Sequence, residues 1–304
     1  MIAFVFPGQG SQAPGMGLDV AEACPAAREV FDRADAALGF GLSEICHRGN
    51  RQDLALTANT QPAILTTSVA LLRALGERGR RPDFVAGHSL GEYSALVAAG
   101  ALEFTDAVRL VRRRGRFMQE AVPVGEGSMA AILGLDAGPL EEVCREAAEG
   151  QVVSAANLNS PQQVVIAGHR AAVDRACRLA RSRGARRALR LPVSAPFHCS
   201  LMEPARQRLK PMLEETRFAD LACPLVNNVD GRAVTAGAEA REGLIRQVTA
   251  PVQWRRSVEA LWEMGARTFV EVGPGRVLSR LIRQIVPGAE TVWIGNRAEV
   301  ESYV

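Results

Sequence analysis

The apolar positions of this chain fall into short continuous runs separated by longer stretches with helical spacing. Ile2-Ala3-Phe4-Val5-Phe6 is one such run. Pro7-Gly8 ends it, as expected of a buried strand entering a loop, and the loop stays glycine-rich as far as Gly17. Phe84-Val85-Ala86 is a second run. Thr268-Phe269-Val270-Glu271-Val272 is a third, closed by Gly273-Pro274-Gly275, and 291–294 is a last short one. Over 60–76 the residues Ala63, Leu65, Val69, Leu72 and Leu75 predict a helix, with Thr60 as N-cap and Pro62 in the first turn. Residues 92–99 predict a helix stopped by Gly100, and 105–119 predict another. Strands alternating with helices imply an α/β fold whose parallel sheet is covered on both faces.

The middle of the chain has a different order. Strands are expected at 129–133, 152–156, 163–167 and 188–193, with helices at 138–148 and 171–183. That succession, βαββαβ, is the split unit of ferredoxin-like domains. It predicts a small domain inserted at 124–193 into a large domain built from 1–123 and 194–304. Pro123, Gly125 and Gly127 punctuate one junction, Pro192 and Pro196 the other.

Composition narrows the class. The 304 residues are 47% hydrophobic and 23% charged, an ordinary globular balance with length for about two domains. A net charge of +3 is too small to argue for nucleic acid as a partner. The six cysteines are scattered without a Cys-x-x-Cys pair and read as reduced thiols, not as a zinc site or a disulfide framework. The first apolar run is too short for a signal peptide, and no run approaches a membrane span. A cytoplasmic location without membrane association is therefore expected.

The chemistry centres on Gly87-His88-Ser89-Leu90-Gly91, a Gly-x-Ser-x-Gly pattern between a predicted strand and a predicted helix. A serine on such a turn is lifted out of the sheet, and the next backbone N–H points to where a negative oxygen would be stabilised. A glycine-rich turn with an ordinary serine is the alternative; the flanking strand and helix favour a nucleophile. Such a serine needs a base, and histidine is the usual one. Of the four histidines, His88 adjoins the serine and should point elsewhere. His47 precedes Arg48-Gly49-Asn50 and reads as a surface-loop residue. His169 lies in the small domain. His198, where the chain re-enters the large domain, remains as the candidate base. No acid stands out to orient it: Asp220 and Asp230 are candidates, a backbone carbonyl another.

The helix at 105–119 adds a charge. Ala107, Leu110, Val111, Phe117 and Met118 form its apolar stripe, and helical spacing puts Arg114 inside that stripe, with Arg112, Arg113 and Arg116 on the other side. An inward guanidinium needs a partner, because leaving it unpaired costs several kcal/mol. Either an Asp or Glu elsewhere in the chain pairs with it, or the carboxylate of a substrate does.

These residues belong to a longer series: Phe6-Pro7-Gly8-Gln9-Gly10-Ser11-Gln12, Thr60-Gln61-Pro62-Ala63, Gly87-His88-Ser89-Leu90-Gly91-Glu92-Tyr93 and Arg114-Gly115. The series continues through Ala156-Asn157-Leu158-Asn159-Ser160-Pro161, Pro196-Phe197-His198, Pro251-Val252-Gln253-Trp254 and Glu271-Val272-Gly273-Pro274-Gly275. In that order, over nearly the whole chain, it resembles the malonyl-CoA:acyl carrier protein transacylases of fatty acid synthesis and the acyltransferase domains of polyketide synthases. The resemblance implies a hydrolase-like α/β large domain with a ferredoxin-like insertion. It implies Ser89 as acyl carrier, His198 as base, the backbone N–H groups of Gln9 and Leu90 as oxyanion hole, and Arg114 as clamp for the malonyl carboxylate. It also implies that the Gln247 backbone carbonyl orients His198, that His88 and Asn157 line the pocket, and that Phe197 narrows it in favour of malonyl over methylmalonyl. Malonyl-CoA and an acyl carrier protein are the implied partners, with no cofactor or metal, and a monomer is expected. Arg178, Arg181, Arg183, Arg186, Arg187 and Arg190 offer a basic face for an acidic carrier, though such runs are more often simply solvated. A stand-alone polyketide acyltransferase would share every motif, and an acyl-thioester hydrolase would share the serine.

Overall fold

The computed structural model describes residues 1–193 and 195–303; the expected domain boundary at 194 falls outside them. In chain order the strands are β1 (Ile2–Phe6), β2 (Phe84–Gly87), β3 (Gly127–Leu133), β4 (Val153–Ser160) and β5 (Gln163–His169). They continue with β6 (Arg187–Arg190), β7 (Leu225–Val226), β8 (Ala233–Val234), β9 (Thr268–Val272) and β10 (Glu290–Ile294). Six of them form one sheet in the order β10-β9-β1-β2-β7-β8. Its pairings are parallel except for the β7–β8 hairpin. β1 and β2 lie at its centre and are buried on both faces, which explains their unbroken apolar runs. In an open α/β sheet, ligands bind at the carboxyl ends of the strands. Here those ends carry the Pro7–Gly8–Gln9 loop after β1 and the Gly-x-Ser-x-Gly turn after β2.

The other four strands form an antiparallel sheet in the order β4-β5-β3-β6. Period-two alternation gives this sheet two apolar faces. Ala130, Ile132 and Ile166 pack under helices Ala137–Ala148 and Arg170–Ser182. Met129, Ala131, Val165 and Ala167 point the other way, into the core shared with the larger sheet. A cleft runs between the two sheets.

Two sequence expectations need correction. Thr60 is not an N-cap: the helix spans Thr57–Glu77, and the Thr60 hydroxyl donates to the Leu54 carbonyl at 2.6 Å. Pro62 therefore lies in the second turn. The helix is buried on nearly all sides, so its sequence has no polar face to mark its start. His47 is not in a surface loop either. It ends helix Leu42–His47, half-buried, with its ring centroid 4.6 Å from that of Phe31.

Candidate active site

The turn after β2 is built by close packing that only glycine permits. A Cβ on Gly87 would stand 1.9 Å from the Gly91 carbonyl carbon, and one on Gly91 would stand 2.0 Å from the Phe6 carbonyl oxygen. The chain leaves β2, reverses at Ser89 and enters helix Gly91–Ala98. Ser89 has φ 53°, a left-handed conformation that costs a non-glycine residue on the order of 1–3 kcal/mol. Asn228 holds it there. Its side chain accepts from Ser89 N at 2.6 Å and donates to the Gly87 carbonyl at 2.6 Å. Of the three left-handed non-glycine residues among those described, two are Ser89 and His198.

His198 lies against Ser89, with 2.7 Å between Nε2 and Oγ. Its Nδ1 is 2.9 Å from the Gln247 backbone carbonyl. A carbonyl only accepts, so Nδ1 carries the proton and the Nε2 lone pair faces the serine hydroxyl. Burial, with the nearby Arg114 charge second, depresses the imidazole to about 3. His198 is therefore a neutral acceptor at physiological pH. Asp220 and Asp230, the acids considered from sequence, are engaged elsewhere. Asp220 caps Gly237 N, and Asp230 holds Arg246 through both oxygens.

Arg114 is 2% exposed, within helix Phe104–Glu120, among the apolar residues of its stripe. Arg113 and Arg116 are exposed, and Arg112 is half-buried over the Phe40 ring. A Cβ on Gly115 would stand 2.5 Å from the Thr57 carbonyl, so the helix packs tightly on Thr57–Glu77 and brings Gln61 to Arg114. The guanidinium donates to Gln61 Oε1 (2.8 Å), Gln247 Oε1 (2.9 Å) and Ser89 Oγ (3.1 Å). None of these is a carboxylate. The internal ion pair left open by the sequence is absent from its contacts, and a full positive charge stands beside the serine. Sequence reading gave no role to the side chains of Gln61, Gln247, Glu92 and Asn228. Gln61 and Glu92 lie within the quoted motifs, which were their only signal.

The remaining candidates line the same cavity, of about 90 Å³: Gln9, Leu90, His88, Asn157 and Phe197. A Cβ on Gly8 would stand 2.4 Å from the His88 carbonyl oxygen, so the loop after β1 lies directly against the turn and carries Gln9 beside Leu90. Neither Gln9 N–H nor Leu90 N–H donates to another backbone group among the described residues. His88 turns away from Ser89 and bonds Asn159 Oδ1 through Nε2 at 2.8 Å; burial lowers its affinity for a proton. Asn157 sits at a bulge in β4, and its buried Oδ1 has no partner. Phe197 is 8% exposed, its ring packed into the core. A second cavity of about 450 Å³ continues from this one along the cleft, past Gln9, His88 and Asn157 toward Leu281. His169 lies outside both cavities, its Nδ1 accepting from Val152 N. Among the described residues, no group of three or more His, Cys, Asp or Glu could hold a metal ion, and no helix is long and apolar enough to cross a membrane.

Comparison with known proteins agrees along the whole chain. The acyl transferase domain model matches residues 3–296. The malonyl CoA-acyl carrier protein transacylase of Escherichia coli (strain K12) is 53% identical over 285 residues, 93% of this chain and 92% of that protein. Its counterpart in Bacillus subtilis (strain 168) is 49% identical over 301 residues, covering 99% and 95%. The crystal structure of an acyl carrier protein S-malonyltransferase from Vibrio cholerae superposes with a TM-score of 0.97 at 45% identity, covering 100% of this chain and 99% of that one. A malonyl-transacylase solved in complex with its type II polyketide acyl carrier protein superposes equally well, at 0.97 and 45%, covering 99% and 98%.

Proposed function

This chain belongs to the acyl transferase domain family, and we propose that it moves a malonyl group from malonyl-CoA to the phosphopantetheine thiol of an acyl carrier protein, for fatty acid synthesis. The observation that carries this reading is the convergence of Ser89, His198 and Arg114, three residues far apart in sequence, at one small cavity.

The reaction runs in two halves. His198 Nε2 takes the Ser89 proton as Oγ attacks the thioester carbonyl. The tetrahedral oxyanion is received by the N–H groups of Gln9 and Leu90, each worth about 3 kcal/mol in comparable sites. The carbon–sulfur bond breaks, and His198 returns the proton to the departing CoA thiol. The carrier thiol then gives its proton to His198 and attacks the malonyl-serine ester; the ester C–O bond breaks, and His198 returns the proton to Ser89 Oγ. Arg114 selects the acyl group: a malonyl carboxylate satisfies its donors, whereas an acetyl group leaves the charge without a counter-ion. Phe197 narrows the site beside the acyl α-carbon and favours malonyl over methylmalonyl. The free Asn157 Oδ1 offers an acceptor to a donor on the substrate.

The large unit made of 1–123 with the segment after the insertion supplies the serine, base and clamp. The inserted unit 124–193 supplies the opposite wall of the cleft. Of its arginines, Arg183 and Arg190 pair with Glu146 and Asp174, and Arg181 donates to the Ala188 carbonyl. Arg178, Arg186 and Arg187 are left for carrier docking: Arg186, whose guanidinium donates to Gln162, and Arg187 line one surface cavity, and Arg178 lines another. A relative solved with a polyketide carrier supports a carrier protein as the acceptor, and a polyketide carrier is the second reading of the same chemistry.

Incubation with malonyl-CoA, with and without holo carrier protein, tests transfer against hydrolysis. Transfer predicts malonyl-carrier and little free malonate; a hydrolase would release malonate at the same rate in both.

A further inference from the structure

We infer that Glu92 is a positioning residue for acyl selection: its carboxylate fixes which way the Gln247 carboxamide faces, and through Gln247 it aims Arg114 at the acyl group. The inference rests on the acyl-transfer reading above and adds a residue to it.

Glu92 lies in the first turn of the helix that follows Ser89 and is wholly buried. Its Oε2 accepts from two donors, Gln247 Nε2 at 2.7 Å and Asn228 N at 3.1 Å, while its Oε1 has no partner. The same Gln247 Nε2 is 3.0 Å from the Ser89 carbonyl. A carboxylate and a backbone carbonyl only accept, so the NH₂ end of the amide must face them. Gln247 Oε1 is thereby turned to Arg114 Nη2, 2.9 Å away. A reversed amide would set NH₂ against the guanidinium and oxygen against both the carboxylate and the Ser89 carbonyl, three repulsive contacts in place of three bonds.

Glu92 makes no hydrogen bond to the Ser89 or His198 side chains, so any effect on selection passes through its neighbours. The two tasks of Gln247 are also separable. Its backbone carbonyl orients His198, and only its side chain reaches Arg114. Losing Glu92 should therefore blur the clamp and leave the base in place. Placement one residue away matters as well. A carboxylate in direct contact with Arg114 would occupy the donors the substrate needs. Glu92 instead acts at one remove, through the Gln247 amide. Burial pushes its carboxyl up to about 7, yet a proton on the free Oε1 leaves Oε2 accepting, so the brace holds in both states.

The test compares Glu92→Leu, Glu92→Gln, Gln247→Leu and the double variant Glu92→Leu/Gln247→Leu. Acylation rates with malonyl-CoA and acetyl-CoA are read by intact mass, and folding by thermal unfolding. Glu92→Leu should lower the malonyl-over-acetyl ratio about tenfold. Glu92→Gln, whose amide oxygen can take both donors, should recover most of it. The double variant should be no less selective than Gln247→Leu alone. Equal loss of both acyl rates in Glu92→Leu, with the ratio kept, would reduce Glu92 to a structural residue, and losses of selectivity that multiply in the double variant would place its action elsewhere. If Glu92→Leu does not fold, Glu92→Ala carries the same expectations. Wild-type enzyme in the same assay separates the two readings: no malonyl adduct there would sink acyl transfer itself.

Discussion

Arg114 Nη2 donates to the Ser89 hydroxyl oxygen at 3.1 Å. The guanidinium that would hold the far end of the acyl group thus rests on the nucleophile. It polarises the hydroxyl toward the state in which its proton goes to His198, and it keeps the imidazole neutral. On the proposed reading, a substrate carboxylate paired with Arg114 would draw that charge off the serine.

Removing that charge should change selection more than chemistry. Arg114→Ala is expected to lower kcat/KM for malonyl-CoA about a hundredfold, the scale of a charge-assisted pair of hydrogen bonds. Acetyl-CoA should lose far less. An unchanged malonyl-over-acetyl ratio would show that Arg114 does not select.

The pH profile of acylation follows from the depressed imidazole. A histidine of ordinary pKa would be about nine-tenths protonated at pH 5.5. His198, held near 3 by burial and by Arg114, stays neutral there. kcat/KM for malonyl-CoA, which reports the free enzyme, should therefore fall less than about twofold between pH 7.5 and 5.5. Burial lowers the proton affinity of His88 as well, and the Glu92 carboxyl, pushed up to about 7, keeps its accepting oxygen when protonated. In Arg114→Ala the second of the depressing causes is gone and burial, the largest, remains, so the acid limb should move up from its wild-type position toward 6.5. A wild-type limb near 6.5 would contradict the buried neutral base.

The left-handed turn at Ser89 depends on Asn228. Asn228→Ala leaves Ser89 N and the Gly87 carbonyl without partners, a cost of about 2–4 kcal/mol. Chemical denaturation should show that loss, with acylation by malonyl-CoA and acetyl-CoA reduced together.

Phe197→Ser should admit a bulkier α-carbon. Acylation by methylmalonyl-CoA is expected to rise relative to malonyl-CoA, measured by competition of the two thioesters for Ser89. No gain would confine Phe197 to packing.

How far the sequence could be read depended on the range of the interactions. The turn around Ser89 was legible because strand, glycine, serine and glycine are contiguous. The inward aim of Arg114 was legible because helical periodicity alone sets it. Gln247 was reachable only through family resemblance, since a backbone carbonyl leaves no mark in a sequence. Asn228 and Gln61 act across 139 and 53 positions, and nothing nearby in the chain announces either partner. The missed start of the Thr57–Glu77 helix has the same origin: a segment buried on all sides shows no change of polarity where it begins. The antiparallel unit was legible because its periodicity switches cleanly at the glycines and prolines that flank it, whereas β7 and β8, two residues each, leave no apolar run to read.

The most direct test is intact mass spectrometry of the enzyme after brief mixing with malonyl-CoA, followed by peptide mapping. The account predicts a single malonyl adduct on Ser89, absent from Ser89→Ala and discharged when holo carrier protein is added. No adduct, or one that maps to a different residue, would contradict it.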